Sequence, residues 1–207
     1  MKTKLFLFII LFNSIIFANT IEEANEAYKS KEYKKAYKIY IDLARHNNQI
    51  AQYNVGLMYK NGTGVTQNHQ KAFYWFRKAA KLGYKDAQYN TAWLYSNGMG
   101  VKQDYKKAYF WYLKAARAGH SISANNVALI YLHGKGIKQD YKKAFYWYEI
   151  AANEGISLAQ NNLGLMYYYG DGVKKDLKKA KYWIELSMKQ GNVSAAKNWD
   201  KFQLWKY

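Results

Sequence analysis

One block recurs in this chain at an unvarying spacing, and that period restricts the fold more than any other feature. Residues 87–116 read AQYNTAWLYSNGMGVKQDYKKAYFWYLKAA. The pattern returns as AQYNVGLMYKNGTGVTQNHQKAFYWFRKAA from Ala51, SANNVALIYLHGKGIKQDYKKAFYWYEIAA from Ser123 and AQNNLGLMYYYGDGVKKDLKKAKYWIELSM from Ala159, each copy 36 residues from the next without insertion or deletion. A fixed period of this size marks stacked supersecondary units, none of which can bury its apolar face alone. The 207 residues therefore read as one continuous solenoid, with full repeats at 48–83, 84–119, 120–155 and 156–191. Function is to be sought on a repeated surface more than in one catalytic centre.

Each unit holds two helices. Ala51, Val55, Met58 and Tyr59 fall on one helical stripe, and Ala72, Trp75, Phe76, Ala79 and Ala80 on another, which makes the chain all-α. Small residues at Gly56, Ala92, Ala128 and Gly164 mark places where facing backbones come close. The rings of Trp75, Trp111, Trp147 and Trp183 are expected to fill the adjacent space. Between the helices lie Gly62 and Gly64, Gly98 and Gly100, Gly134 and Gly136, and Gly170 and Gly172, read as turns that close the first helix. Asn68, Asp104, Asp140 and Asp176 are placed to cap the second helix, and Gly83, Gly119, Gly155 and Gly191 mark the junctions between units.

The ends depart from the pattern. Residues 19–47 read as a degenerate first unit with a tighter turn at Lys29, Ser30 and Lys31, and 192–207 as a capping helix whose Trp199, Phe202, Leu204 and Trp205 cover the last full unit. Met1 to Lys4 supply two lysines and Leu5 to Phe17 an apolar run of 13 residues, the pattern of a secretory signal peptide at 1–18. That run is short against the ~20 residues of a membrane helix, so export to the periplasm or beyond is expected, without stable membrane insertion after cleavage. Ile16 is large for its place before the cleavage site, and an uncleaved anchor in the inner membrane is the alternative. The chain has no cysteine, which excludes disulfides, thiol catalysis and lipoprotein processing. Its 32 Lys and Arg against 14 Asp and Glu give a net charge of +18, which falls to +16 once Lys2 and Lys4 are removed. Such a balance favours anionic partners.

The order A-x-x-N-x-[GA]-x-x-Y, G-x-G-[VI], D-[YL]-x-K-A-x-x-W and A-A resembles the Sel1-like repeat, a relative of the tetratricopeptide repeat, over Ala51 to Lys189. The resemblance implies a right-handed α-solenoid of 36-residue helix pairs with terminal caps, a concave groove, and a role as an adaptor for protein partners. The secreted, cysteine-rich Hcp proteins are also similar, and some are described as penicillin-binding or weak β-lactamases. They carry a disulfide in each repeat, which this chain lacks.

If the first helices line the groove, as the tetratricopeptide resemblance implies, one register stands out. Asn54, Asn90, Asn126, Asn162 and Asn198 recur beside Tyr53, Tyr89, Asn125 and Asn161. An amide both donates and accepts, so a ladder of them can pair with the main chain of an extended peptide. The same amides could instead bond to backbone or to the next unit. The expected partner is a protein or extended peptide, acidic in view of the charge. A scaffold for anionic polymers and a β-lactam-binding protein are the alternatives.

Other chemistry finds little footing. Lys106-Lys107, Lys142-Lys143 and Lys178-Lys179 read as a solvated outer face, and export argues against nucleic acid. Ser194-Ala195-Ala196-Lys197 matches S-x-x-K, but neither S-D-N nor K-T-G accompanies it. His46, His69, His120 and His133 show no i, i+3 or i+4 pairing, so no metal site is expected. The G-x-G loops lack the residues that bind phosphate. No catalytic residue and no cofactor is expected.

Overall fold

A computed structural model describes residues 21–207. The signal peptide expected at 1–18 lies outside these residues. Among them the regular structure is wholly helical, in the order α1 (21–29), α2 (Tyr33–Arg45), α3 (Gln49–Asn61), α4 (His69–Lys81), α5 (Lys85–Asn97), α6 (Tyr105–Arg117), α7 (Ser121–His133), α8 (Tyr141–Asn153), α9 (Ser157–Tyr169), α10 (Leu177–Lys189) and α11 (Val193–Lys201), with a 3-10 turn at Leu204–Lys206. The chain divides into two compact units, the first ending at Gln103 and the second beginning at Asp104. In each, a helix packs on its neighbours in sequence: α3 on α2 and α4 in the first unit, and α9 on α8 and α10 in the second. This is the all-α, solenoid-type arrangement expected from the period.

The ends of the helices are set by the residues the repeat supplies. The side chains of Asn68, Asp104, Asp140 and Asp176 accept the backbone N–H of Lys71, Lys107, Lys143 and Lys179 at 2.9–3.0 Å, as N-caps. Gly98 ends α5 at φ 67° and donates its N–H to Leu94 O, a left-handed closure that costs glycine little.

The second glycine of each loop is left-handed, at φ 70–75°, as the expected turn requires, and it does a second job. A Cβ on Gly100 would land on the His69 carbonyl, one on Gly64 would stand 2.7 Å from Tyr33 O, and one on Gly136 2.7 Å from Tyr105 Cβ. Gly172 meets Tyr141 O in the same way. Each of these loops is seated on the first turn of the second helix of the preceding repeat, at a distance that excludes any side chain.

In the core, Ala51, Val55, Met58 and Tyr59 are buried as expected, and so are Ala72, Phe76, Ala79 and Ala80. The tryptophans depart from expectation. Trp75, Trp147 and Trp183 are half-buried, and the fully enclosed side chain comes one residue later, at Phe76, Tyr148 and Ile184. Trp111 and Tyr112 are both buried. A Cβ on Gly56 would meet the Phe76 ring at 2.6 Å, and one on Gly164 would meet Ile184 Cγ1 at 2.6 Å. Gly56 therefore admits a ring from the second helix, while at Gly164 the facing backbone is close as expected, with Ala180 O 3.1 Å and Ile184 N 3.2 Å from the same Cβ. Edge-on ring pairs recur at a single register: Tyr37–Tyr59 and Phe73–Tyr95 in the first unit, Tyr109–Tyr131 and Phe145–Tyr167 in the second, with centroids 5.0–5.8 Å apart.

The C-terminal segment covers the last repeat. Leu204 is enclosed with Ile184 and Ala195, Trp199 and Phe202 pack against them, and Phe202 lies 4.2 Å from the Tyr168 ring. Trp205 is left half-exposed.

Candidate functional site

The amides at the register predicted from the sequence do not all do the same thing. Asn90 is only 4% exposed; its Nδ2 donates to Asp86 O at 2.8 Å, Lys60 Nζ donates to its Oδ1 at 3.3 Å, and it is hydrogen-bonded with the Tyr53 hydroxyl. In the second unit Asn198 Nδ2 donates to Asn161 Oδ1 at 2.8 Å, again from one repeat to the one before. Asn162 Nδ2 donates to the Tyr148 hydroxyl at 3.3 Å, and Asn161 Nδ2 donates to Asn162 Oδ1 at 3.4 Å. The buried Asn125 Oδ1 has no partner among the described residues. Asn54, Asn126 and Tyr89 are half-buried, and burial raises the pKa of the Tyr89 phenol.

Around these amides each first helix keeps a half-buried strip of mixed character. In the first unit it comprises Tyr53, Asn54, Leu57 and Lys60 of α3 and Trp93 of α5. The Lys60 ammonium stands 4.8 Å from the Trp93 ring centroid, and burial lowers its pKa. Tyr53 packs on Tyr84 at 5.0 Å and Phe76 at 5.7 Å, and burial pushes its hydroxyl up to about 12, so it stays a neutral donor. In the second unit the corresponding strip holds Asn126, Leu129 and Leu132 of α7 and Asn162, Leu165 and Tyr168 of α9. An amide beside an apolar floor can bond a main chain and receive a side chain at once. Asn and Tyr of this strip recur visibly in the sequence, and the structure adds Leu57, Lys60, Trp93, Leu129 and Leu165. The signal was available, because Leu57, Trp93, Leu129 and Leu165 each stand three residues after an Asn, one helical turn further along the same face.

A separate register ties repeats together. Gln52, Gln88 and Gln160 are buried, and their Nε2 atoms donate to Ala44 O, Ala80 O and Ala152 O at 3.1–3.3 Å, the carbonyl end of the preceding second helix. Gln160 Oε1 accepts from Gln190 Nε2 at 2.7 Å, whereas Gln52 Oε1 and Gln88 Oε1 find no partner among the described residues.

Ser194 and Lys197 are both exposed on α11, where the N–H of Ser194 is capped by Asn192 Oδ1 at 2.9 Å. Among the described residues, no three His, Cys, Asp or Glu side chains gather to hold a metal, and no helix is long and apolar enough to cross a membrane.

Capped helix pairs at a constant period, tied by buried amides to the helix before, define an all-α repeat protein. The chain belongs to the Sel1 repeat family, whose model matches residues 49–84, 85–120, 121–156 and 157–192. Among solved structures it is similar to a Sel1 repeat protein from Oxalobacter formigenes, at 33% identity over 84% of this chain and 71% of that one, with a TM-score of 0.79. It is also similar to a protective antigen of uropathogenic Escherichia coli strains that displays an SLR fold, at 31% identity over 88% of this chain, with a TM-score of 0.83; this chain spans 40% of that protein. The Helicobacter pylori cysteine rich protein B is a further match, at 25% identity over 63% of this chain and 94% of that one, with a TM-score of 0.51. No curated protein matches the chain. Sel1 repeats generally mediate interactions between proteins and typically serve as non-catalytic scaffolds.

Proposed function

We propose that this Sel1 repeat protein is an exported, non-catalytic adaptor that holds an extended segment of a protein partner on the half-buried strip of its first helices. Export follows from the basic and apolar pattern of Met1 to Phe17. The binding reading rests on one observation. Asn54 and Asn126 remain half-buried in strips that carry Leu57 in one case and Leu129 and Leu132 in the other, while Asn90 is spent on contacts within its own unit. Free amides supply main-chain bonds without reading sequence, and the apolar neighbours take alternate side chains of the bound segment.

Crosslinked capture from an envelope fraction tests this. The Asn54→Ala/Asn126→Ala chain loses the captured partner while its melting temperature is unchanged, whereas Asn90→Ala lowers the melting temperature by uncoupling Lys60 and Tyr53. Undiminished capture by the double variant overturns the assignment of the strip. Nitrocefin turnover above the buffer rate overturns the non-catalytic reading.

A further inference from the structure

The outer face of α4 carries a site that none of this uses. Its sequence, HQKAFYWFRKAAK, has four Lys or Arg and no acid. Phe73, Tyr74, Arg77, Lys78 and Lys81 line a surface cavity of about 240 Å³. Tyr74 is 53% exposed, and Trp75 holds it edge-on at 5.0 Å and 85°, so a fixed ring is presented to solvent. Lys78 Nζ lies 5.4 Å from the Tyr74 centroid and 5.3 Å from that of Trp75. No carboxylate of the described residues pairs with Arg77, Lys78 or Lys81.

The other second helices of the full repeats carry only part of this set: α6 keeps a lysine over an exposed ring, Lys114 at 4.8 Å from the Phe110 centroid, and Arg117, but has Leu113 where α4 has Arg77. In α10 Lys189 is taken by Glu185 at 2.7 Å, and at the positions of Arg77, Lys78 and Lys81 α8 carries Glu149, Ile150 and Asn153. On α6 and α8 the capping Asp104 and Asp140 also take Lys107 and Lys143, while α4 is capped by the neutral Asn68.

Three cations left without a carboxylate around a rigid ring fit an anionic partner by charge complementarity. The cavity is below the roughly 300 Å³ at which small-molecule sites begin, so it suits one side chain of a larger partner and its flanking charges. We infer that the α4 face docks an acidic protein segment, with Asp or Glu carboxylates on Arg77, Lys78 and Lys81 and one apolar side chain against Phe73 and Tyr74. Arg77 offers the paired donors that match a carboxylate. The inference rests on the protein-binding reading above but places this partner chemistry on a different helix.

Fluorescence anisotropy with a labelled peptide of alternating glutamate and leucine tests it on the full chain. Binding is expected, weakening steeply with salt. The Arg77→Gln/Lys78→Gln/Lys81→Gln variant should lose about tenfold or more in affinity, and Tyr74→Ser should lose affinity as well. A Lys102→Gln/Lys138→Gln/Lys174→Gln chain, which removes the same charge from exposed loop positions, should lose less than about twofold. Equal losses in the two triple variants reduce the effect to diffuse charge and overturn the site. Tighter, α4-dependent binding of polygalacturonate or of phosphatidylglycerol vesicles assigns the face to a glycan or a lipid surface and overturns the protein partner. The Asn54→Ala/Asn126→Ala chain separates the two proposals: it keeps full affinity for the acidic peptide if the α4 site stands, whatever becomes of the first-helix strip.

Discussion

Within the full repeats the first and second helices have the same length, 13 residues, and similar apolar content, yet they solve burial differently. Buried polar side chains sit on the first helices, at Gln52, Gln88, Asn90, Thr91, Ser123, Asn125, Gln160 and Asn161; on the second helices the buried polar group is Ser187. The second helices instead keep one deep apolar line, Ala72-Phe76-Ala79 in α4, and a wet face of lysines with a half-exposed ring at Tyr74, Phe110, Tyr146 and Tyr182. The difference teaches where cohesion between repeats comes from. A buried amide is tolerated because the carbonyl end of the neighbouring second helix needs a donor, and Gln52, Gln88 and Gln160 supply it.

The largest test contrasts neighbours on one second helix. Phe76→Ala should cost about 3–5 kcal/mol, because the ring is fully enclosed against Gly56. Trp75→Ala, at a half-buried position, should cost about 1–2 kcal/mol. Chemical denaturation of the two variants decides, and equal losses would erase the assignment of depth to residue 76. Next comes Gly100→Ala, which forces a side chain into a left-handed residue and into the His69 carbonyl. A loss of about 2–4 kcal/mol is expected in the same measurement.

Smaller and opposite in sign is Leu82→Gln. Position 82 stands to Gln52 as Gln190 stands to Gln160, and a glutamine there should donate to the unpartnered Gln52 Oε1. A gain of about 1 kcal/mol is expected in thermal melting, and no gain would show that Gln52 Oε1 needs nothing more.

The smallest effect is in acid. The backbone N–H of Lys107 and then its ammonium hold Asp104 below the usual carboxylate range, and Lys143 does the same for Asp140. A depressed folded pKa contributes stability that is fully present above about pH 4 and is lost as pH falls through the folded value. Asp104→Asn/Asp140→Asn keeps the caps, as Asn68 does in α4, and should flatten the fall of melting temperature in acid. An unchanged acid slope would place the acid sensitivity elsewhere.

The helices, their caps and the covering C-terminus were legible because each is a local matter of periodicity and side-chain chemistry. Position along a stripe was not. Trp75 and Phe76 are adjacent, and helical spacing alone does not distinguish which of two neighbouring large rings points to the middle of the interface. Gln52 was passed over because it lies between Ala51 and Tyr53 on a face that periodicity marks as core. Its role depends on a carbonyl eight residues back, at Ala44. Of the binding strip, Asn and Tyr were visible as a recurring register, but which amides are already engaged is decided by neighbours such as Lys60 and Tyr148, which sequence periodicity does not bring together.

The loop glycines that rest on the preceding helix act as a length gauge. Gly64 meets residue 33, Gly100 residue 69, Gly136 residue 105 and Gly172 residue 141, the same 31-residue separation in all four. A residue gained or lost between those contact points would carry the glycine off its seat, which accounts for the absence of any insertion or deletion between copies. At Gly83, Gly119, Gly155 and Gly191 an added Cβ meets nothing within 4 Å. Gly83, Gly119 and Gly155 nevertheless lie inside those spans, so the array can be lengthened there only by whole units, each bringing its own glycine and its own seat.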